Sequence, residues 1–279
     1  MLHDLNLSAS KHQATSQTAE GTPSAVPTMM SVRNLSLRSQ GKAVVDTISF
    51  DLHRDEVLAF IGRSGSGKSA LLRSLVRMEK LGRNPQRSGE ILFGGQDLMR
   101  PDADLPLVRR QVALIAQETN PFPMSIWDNI AYGLKLHRLV STKGLMAERI
   151  EQALRRARLW DAVKDQLHKT QGTSLPGPQR RQLCIARALA LDPQIMLFDR
   201  PSSAGDRMSF TLTQEIVTEL RKTTSIVLVA HSLENAAHLA DRVAFVDQGR
   251  IVELDTAEMI FTNAMEPETR AFLEQSTYM

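Results

Sequence analysis

Two stretches of this chain carry residue types whose spacing can do phosphate chemistry. The first, Gly62-Arg63-Ser64-Gly65-Ser66-Gly67-Lys68-Ser69, fits the pattern G-x-x-x-x-G-K-[ST]. Its glycines let the backbone wrap until successive N–H groups point at phosphate oxygens. Lys68 would reach the β- and γ-phosphates, and the Ser69 hydroxyl is placed to hold Mg²⁺. The second stretch, Ile195-Met196-Leu197-Phe198-Asp199, is an apolar strand ending in a carboxylate, the place from which an acid completes a magnesium shell. Together they imply binding of a nucleoside triphosphate with Mg²⁺.

Such a loop works only between a strand that fixes its start and a helix whose N-terminus adds positive potential. Val57 to Ile61 reads as that strand, and Ala70 to Met78 as that helix. Further strand-like runs are Val44 to Leu52, Ile91 to Phe93, Val112 to Ala116 and Ile226 to Val229. From about Trp127 to Ala190 the pattern is helical, with Ile150, Ala153, Leu154, Ala157 and Trp160 at three- and four-residue spacing. An amphipathic stretch covers Phe210 to Leu220, and a last hairpin, Val243 to Leu254, turns at Asp247-Gln248-Gly249-Arg250. Strands alternating with helices predict an α/β fold around a mainly parallel sheet covered on both faces. Residues 1–28 are polar and aperiodic and read as a disordered tail, leaving 29–279 as one domain.

Composition narrows the class. The chain has 279 residues, 42% hydrophobic and 23% charged, with a net charge of +3, an ordinary soluble globular balance. No apolar run approaches the roughly 18 residues needed to span a bilayer. Cys184 is the only cysteine, so no disulfide scaffold forms within the chain. The N-terminal segment lacks the basic and apolar regions of a secretory signal, and export is not expected. There is no coiled-coil insert and no basic stripe with stacking aromatics, so no nucleic-acid partner is expected.

The remaining landmarks resemble, in order, the ATP-binding subunit of an ABC transporter. Gln117, after the strand Val112 to Ala116, matches the glutamine that links the γ-phosphate and Mg²⁺ to a helical subdomain, here about residues 119–190. Leu175-Pro176-Gly177-Pro178-Gln179 occupies the signature position, followed by Leu183-Cys184-Ile185-Ala186-Arg187-Ala188. Ser203-Ala204-Gly205-Asp206 matches the D-loop, and His231 the switch histidine. Within the family, Asn120 to Ile130 and Leu183 to Arg187 look most like the Pst-type phosphate importers. The resemblance implies a P-loop fold with an antiparallel β subdomain and an inserted helical subdomain. It implies ATP and Mg²⁺ as ligands, with Ser69, Gln117 and Asp199 around the metal. It also implies membrane permease subunits as partners, pairing into a homodimer or heterodimer of ATP-binding subunits, and a peripheral place on the cytoplasmic face of the inner membrane. Residues Pro121 to Ile130 read as a loop entering an amphipathic helix, with Phe122, Met124, Ile126 and Trp127 exposed or half-exposed as a socket for a permease helix, or else packed in the core.

Three departures from the family pattern fall on chemistry. The residue after Asp199 is normally a glutamate that polarises the attacking water, and here it is Arg200, which has no acceptor and cannot act as a base. Asp206 and His231 are the nearest substitutes by resemblance. In the signature, usually L-S-G-G-Q, Pro176 deletes the hydroxyl, and Pro176 and Pro178 each delete a backbone N–H. Pro178 is also expected to push Gly177 toward extended geometry, with the helix following from about Gln179. Finally, Arg38 and Ser39 stand where a hairpin aromatic commonly stacks on adenine, and Gly205 replaces the usual D-loop leucine. The expectation is an ATP-binding subunit of a Pst-like importer whose hydrolysis is impaired. A fully active phosphate-transporting ATPase and a non-transport regulatory ATPase of the same fold are the alternatives.

Overall fold

Two sheets meet at the phosphate loop. In the computed structural model, residues 26–80, 85–118, 120–200, 207–230 and 232–277 are described, with backbone only for 207–210, 276 and 277. The strands are β1 (Thr28–Ser39), β2 (Lys42–His53), β3 (Val57–Ile61), β4 (Gln86–Phe93), β5 (Gln96–Asp97), β6 (Val112–Ile115), β7 (Ile195–Asp199), β8 (Ser225–Val229), β9 (Arg242–Asp247) and β10 (Arg250–Thr256). One sheet is antiparallel, in the order β2-β1-β4-β5; the other runs β10-β9-β3-β8-β7-β6. In the second sheet every pairing from β9 to β6 is parallel, and only β10 joins antiparallel.

The side chains account for this division. β1 and β2 alternate buried and exposed positions, as strands with one wet face do, burying Met30, Val32, Leu35 and Leu37 against Val45, Ile48, Phe50 and Leu52. β3, β7 and β8 are buried at all five positions, as strands covered on both faces must be. The two sheets close over one apolar cluster, in which Phe50 meets Phe60 edge-to-face at 5.6 Å.

The helices are α1 (Lys68–Ser74), α2 (Leu105–Gln111), α3 (Ile126–Leu136), α4 (Lys143–Arg156), α5 (Trp160–Val163), α6 (Gly177–Leu189), α7 (Arg207–Leu220), α8 (Leu233–Leu239), α9 (Ala257–Asn263) and α10 (Pro267–Thr277). A second cluster lies under α3, α4 and α6, where Ile126, Ile130, Leu134, Ile150, Leu154 and Leu183 are buried. No helix among the described residues is long and apolar enough to cross a membrane.

Two helix boundaries differ from the sequence expectation. The helix predicted from Ala70 to Met78 is α1, which starts two residues earlier and stops at Ser74. Arg77 takes φ 53° there, its N–H bonds to the Ser74 carbonyl and that of Met78 to the Arg73 carbonyl, a left-handed closure of the helix end. The helix expected from about Gln179 is α6, which begins at Gly177. Pro178 therefore does not force Gly177 into extended geometry: a glycine has no Cβ to clash with the proline ring, and a first-turn proline lacks only an N–H that the helix leaves unpaired anyway.

Candidate nucleotide-phosphate site

β3 delivers the chain to Gly62, where the backbone turns sharply. Gly62 has φ 140°, and a Cβ there would lie 2.1 Å from the Val246 carbonyl of β9. Gly67, at φ 101°, would put a Cβ 2.4 Å from the Val44 carbonyl of β2. The loop is thus clamped between the two sheets, and only glycine fits either clamp point. The β9–β10 turn completes the clamp: the Gly249 N–H donates to the Ser66 carbonyl at 3.0 Å, and the Asp46 N–H to the Gly249 carbonyl at 2.8 Å. No local motif encodes this brace, although the positive-φ pair at Gln248 and Gly249 belongs to the hairpin turn expected at Asp247 to Arg250.

Lys68 is buried in the loop, its ammonium donating to the carbonyls of Gly62 (2.7 Å) and Arg63 (2.6 Å) and to Ser66 Oγ (3.0 Å). Burial, and next the repulsion of Arg200, bring its pKa down to about 8, while Asp247 and Asp199 act in the other direction. An arriving phosphate would offset both effects. The Ser69 hydroxyl donates to Asp199 Oδ1 at 2.7 Å, and Arg73, one turn further along α1, donates to Oδ2 at 2.7 Å. Asp199 is fully buried at the end of β7. A hydroxyl and a carboxylate oxygen at this separation form a donor set that fits a hard dication such as Mg²⁺, with Arg73 holding the other carboxylate oxygen.

Arg200 follows in a left-handed conformation, φ 54°. It lines a cavity of about 310 Å³ together with Gly65, Ser66, Gly67, Lys68, Ser69, Ala70, Arg73 and Lys80. The loop, Asp199 and Arg200 are therefore brought together as the sequence suggested. Arg63 and Ser64 are exposed on the outer side of the loop, where Arg63 bonds to Gln275 of α10 at 2.8 Å. Gln117 is exposed and does not line the cavity. Its carbonyl accepts from Arg181 Nη2 at 2.8 Å, and Arg181 Nη1 reaches the Arg200 carbonyl at 3.4 Å. Arg181, held in α6, thus ties the loop after β6 to the loop after β7, a link that no motif announced; burial lowers its pKa.

The signature lies apart from this cavity. Leu175 is buried, Gln179 half-buried, and Pro176, Gly177 and Pro178 are exposed at the start of α6, where Pro176 sits at the capping position with no side-chain hydrogen bond. His231 and the segment Ser203 to Asp206 lie outside the described residues. Arg38 is exposed at the β1–β2 turn and donates to the Gly41 carbonyl.

In the segment 121–130 the two readings divide between residues. Ile126, the first residue of α3, is fully buried in the helical core, because that face of α3 packs inward beside Ile130 and Leu134. Met124 is exposed, and Phe122 and Trp127 are half-buried, each against a ring: Phe122 on Tyr132 at 5.3 Å, Trp127 on His168 at 4.6 Å. Fully buried Asn129 pins the preceding loop by accepting from the Phe122 N–H (2.8 Å) and donating to the carbonyls of Phe122, Met124 and Ser125. Beside this loop a groove of about 420 Å³ is lined by Met78, Phe122, Tyr132, Leu136, Cys184 and Arg187 among others.

The comparisons with known proteins agree with this geometry. The chain is 38% identical over 246 residues to the phosphate import ATP-binding protein PstB 2 of Aliivibrio fischeri, covering 88% of this chain and 90% of that one. It is 37% identical to phosphate import ATP-binding protein PstB 1 of Vibrio cholerae, with 88% and 89% covered. Among solved structures, cbiO1 of Clostridium perfringens, part of the ABC transporter complex cbiONQ, has the same fold, with a TM-score of 0.71 at 21% identity over 85% of this chain and 92% of that one. The ATP-binding cassette MJ0796, a dimeric structure bound to ADP and Pi, gives 0.70 at 22% identity over 82% and 99%. The ABC transporter family profile matches residues 45–203, and the chain belongs to that family.

Proposed function

We propose that this chain is the ATP-binding subunit of a phosphate import system, peripheral on the cytoplasmic face of a membrane, that binds Mg-ATP and hydrolyses it poorly. One observation carries the reading: an intact phosphate loop whose wall, next to Asp199, is a guanidinium. The relatives' phosphate import assignment supports the transport half.

In this reading the N–H groups from Gly65 to Ser69 take the phosphate oxygens, and Lys68 turns from its own loop carbonyls toward the β- and γ-phosphates. Ser69 and Asp199 would hold Mg²⁺, whose chemistry there is to neutralise charge on the phosphates, while Gln117, the third expected donor, lies outside the cavity. Arg200 cannot take a proton from water, and the lost base costs on the order of 10² to 10⁴ in rate. Two chains, of this kind or one of them a relative, pair head-to-tail, so the exposed start of α6 faces the partner's nucleotide. Of its first residues only Gly177 and Gln179 retain an N–H to offer. The groove beside Phe122 and Tyr132, rimmed by exposed Met78 and Leu136, receives a helix of the permease.

Two measurements on the purified chain test this. ATP with Mg²⁺ should raise the thermal midpoint by mass action while steady-state turnover stays near background, with or without the permease. A midpoint that does not move at saturating nucleotide, or turnover at an ordinary enzymatic rate of about 1 s⁻¹ or more, would sink the reading.

A further inference from the structure

The reading above leaves Arg200 with a lost role and no new one, yet its surroundings describe one. Four cationic side chains, Lys68, Arg73, Lys80 and Arg200, line the cavity above the loop, and among the described residues no carboxylate does. Of the four, only Arg73 has an ion-pair partner among the described residues, Asp199 at 2.7 Å. The Arg200 backbone is left-handed and its carbonyl accepts from Arg181, and the residue lines the cavity. Cations held this close repel one another until an anion arrives.

In P-loop sites a divalent cation bridges the β- and γ-oxygens and offsets their charge. A guanidinium offers the same compensation by another route: a planar fork of N–H donors that matches phosphate geometry, and a weakly hydrated charge that loses little on leaving water. A glutamate in this position would instead repel a triphosphate that arrives without metal. We infer that Arg200 is a phosphate-binding residue that supplies the charge compensation a divalent cation gives, so that the cradle retains ATP when Mg²⁺ is absent. This rests on the cradle being an ATP site, and it deepens that reading by separating retention of nucleotide from the metal.

The test is titration calorimetry of the full chain with ATP, once in excess Mg²⁺ and once in EDTA. The affinity in EDTA should stay within about tenfold of that in Mg²⁺. Arg200→Gln and Arg200→Asn should each weaken metal-free binding by about tenfold or more relative to binding with Mg²⁺, the scale of hydrogen bonds to a charged group. Asparagine accepts the left-handed backbone, so at least one variant keeps the turn, and the thermal midpoint checks it. Arg200→Lys should keep the greater part of the metal-free affinity. A wild-type chain that loses more than about tenfold in EDTA overturns the inference while leaving the ATP site standing. So do variants whose Mg²⁺-to-EDTA ratio equals that of the wild type. Absence of ATP binding in both conditions overturns the ATP site and the inference with it.

Discussion

In the proposed reading the phosphate cradle and the start of α6 are two halves of one kind of site, and they are held differently. The cradle is closed within the chain: Gly62 and Gly67 are clamped between β9 and β2, and Asp199 is held on both oxygens. The start of α6 faces outward, with Pro176, Gly177 and Pro178 exposed and no side-chain cap. Changes in the cradle would break the fold as well as the site, since the loop is wedged against backbone. Changes at the exposed half cost the fold little, because a first-turn proline suits a helix. In the proposed reading, the part of the machinery bound into this chain's own packing keeps its residues, and the part addressed to another chain carries prolines at 176 and 178.

The largest effect that could break this comparison is at Lys68. Lys68→Ala should abolish most of the ATP-dependent shift in thermal midpoint, which for ligand at about 100 times its Kd corresponds to about 2.7 kcal/mol. A variant that keeps the full shift would mean the cradle is not where nucleotide binds. Next is Arg73→Ala, which leaves fully buried Asp199 with Ser69 as its one remaining side-chain hydrogen-bond partner among the described residues. Urea unfolding should then report a loss of about 3 kcal/mol, the cost of breaking a buried pair. A loss under about 0.5 kcal/mol would place the pair in the surface class and weaken the claim that the cradle is structural. Asn129→Ala, which frees the 121–125 loop from its pin, should cost about 2 kcal/mol, because carbonyls and an N–H lose their partner. Permease capture should fall with it if the groove is the socket. Smallest is the effect at Cys184: burial raises its thiol pKa, so at pH 8 its thiolate fraction is below that of a free cysteine. Alkylation of the native chain should be slower than of the urea-unfolded chain, and equal rates would contradict the burial.

Legibility in the sequence followed the distance over which residues cooperate. β3, the loop and α1 are contiguous, and their glycine spacing and apolar run foretold strand, cradle and helix; β7 and its terminal Asp199 were equally plain. The α1 boundary was missed because it is set by a left-handed closure at Arg77, a residue with no such preference. Arg73 on Asp199, Gly249 on Ser66 and Arg181 on the carbonyls of Gln117 and Arg200 join residues far apart in the chain, and no local pattern encodes them. The mixed apolar run around Ile126 leaves exposure and core packing both open, and only the packing of α3 under α6 chooses which residue turns inward.

The measurement that tests the central claim most directly is steady-state ATP hydrolysis by the wild type beside three repairs: Arg200→Glu, Pro176→Ser with Pro178→Gly, and all three together. Residues acting as one catalytic unit are far from additive, so the account predicts that Arg200→Glu alone stays near background and that the proline repair restores ATP-driven dimerisation without turnover. The triple change should then raise the rate by at least about 10² over the wild type, the contribution of a general base. A wild-type chain that already hydrolyses ATP as fast as the triple variant would contradict the account.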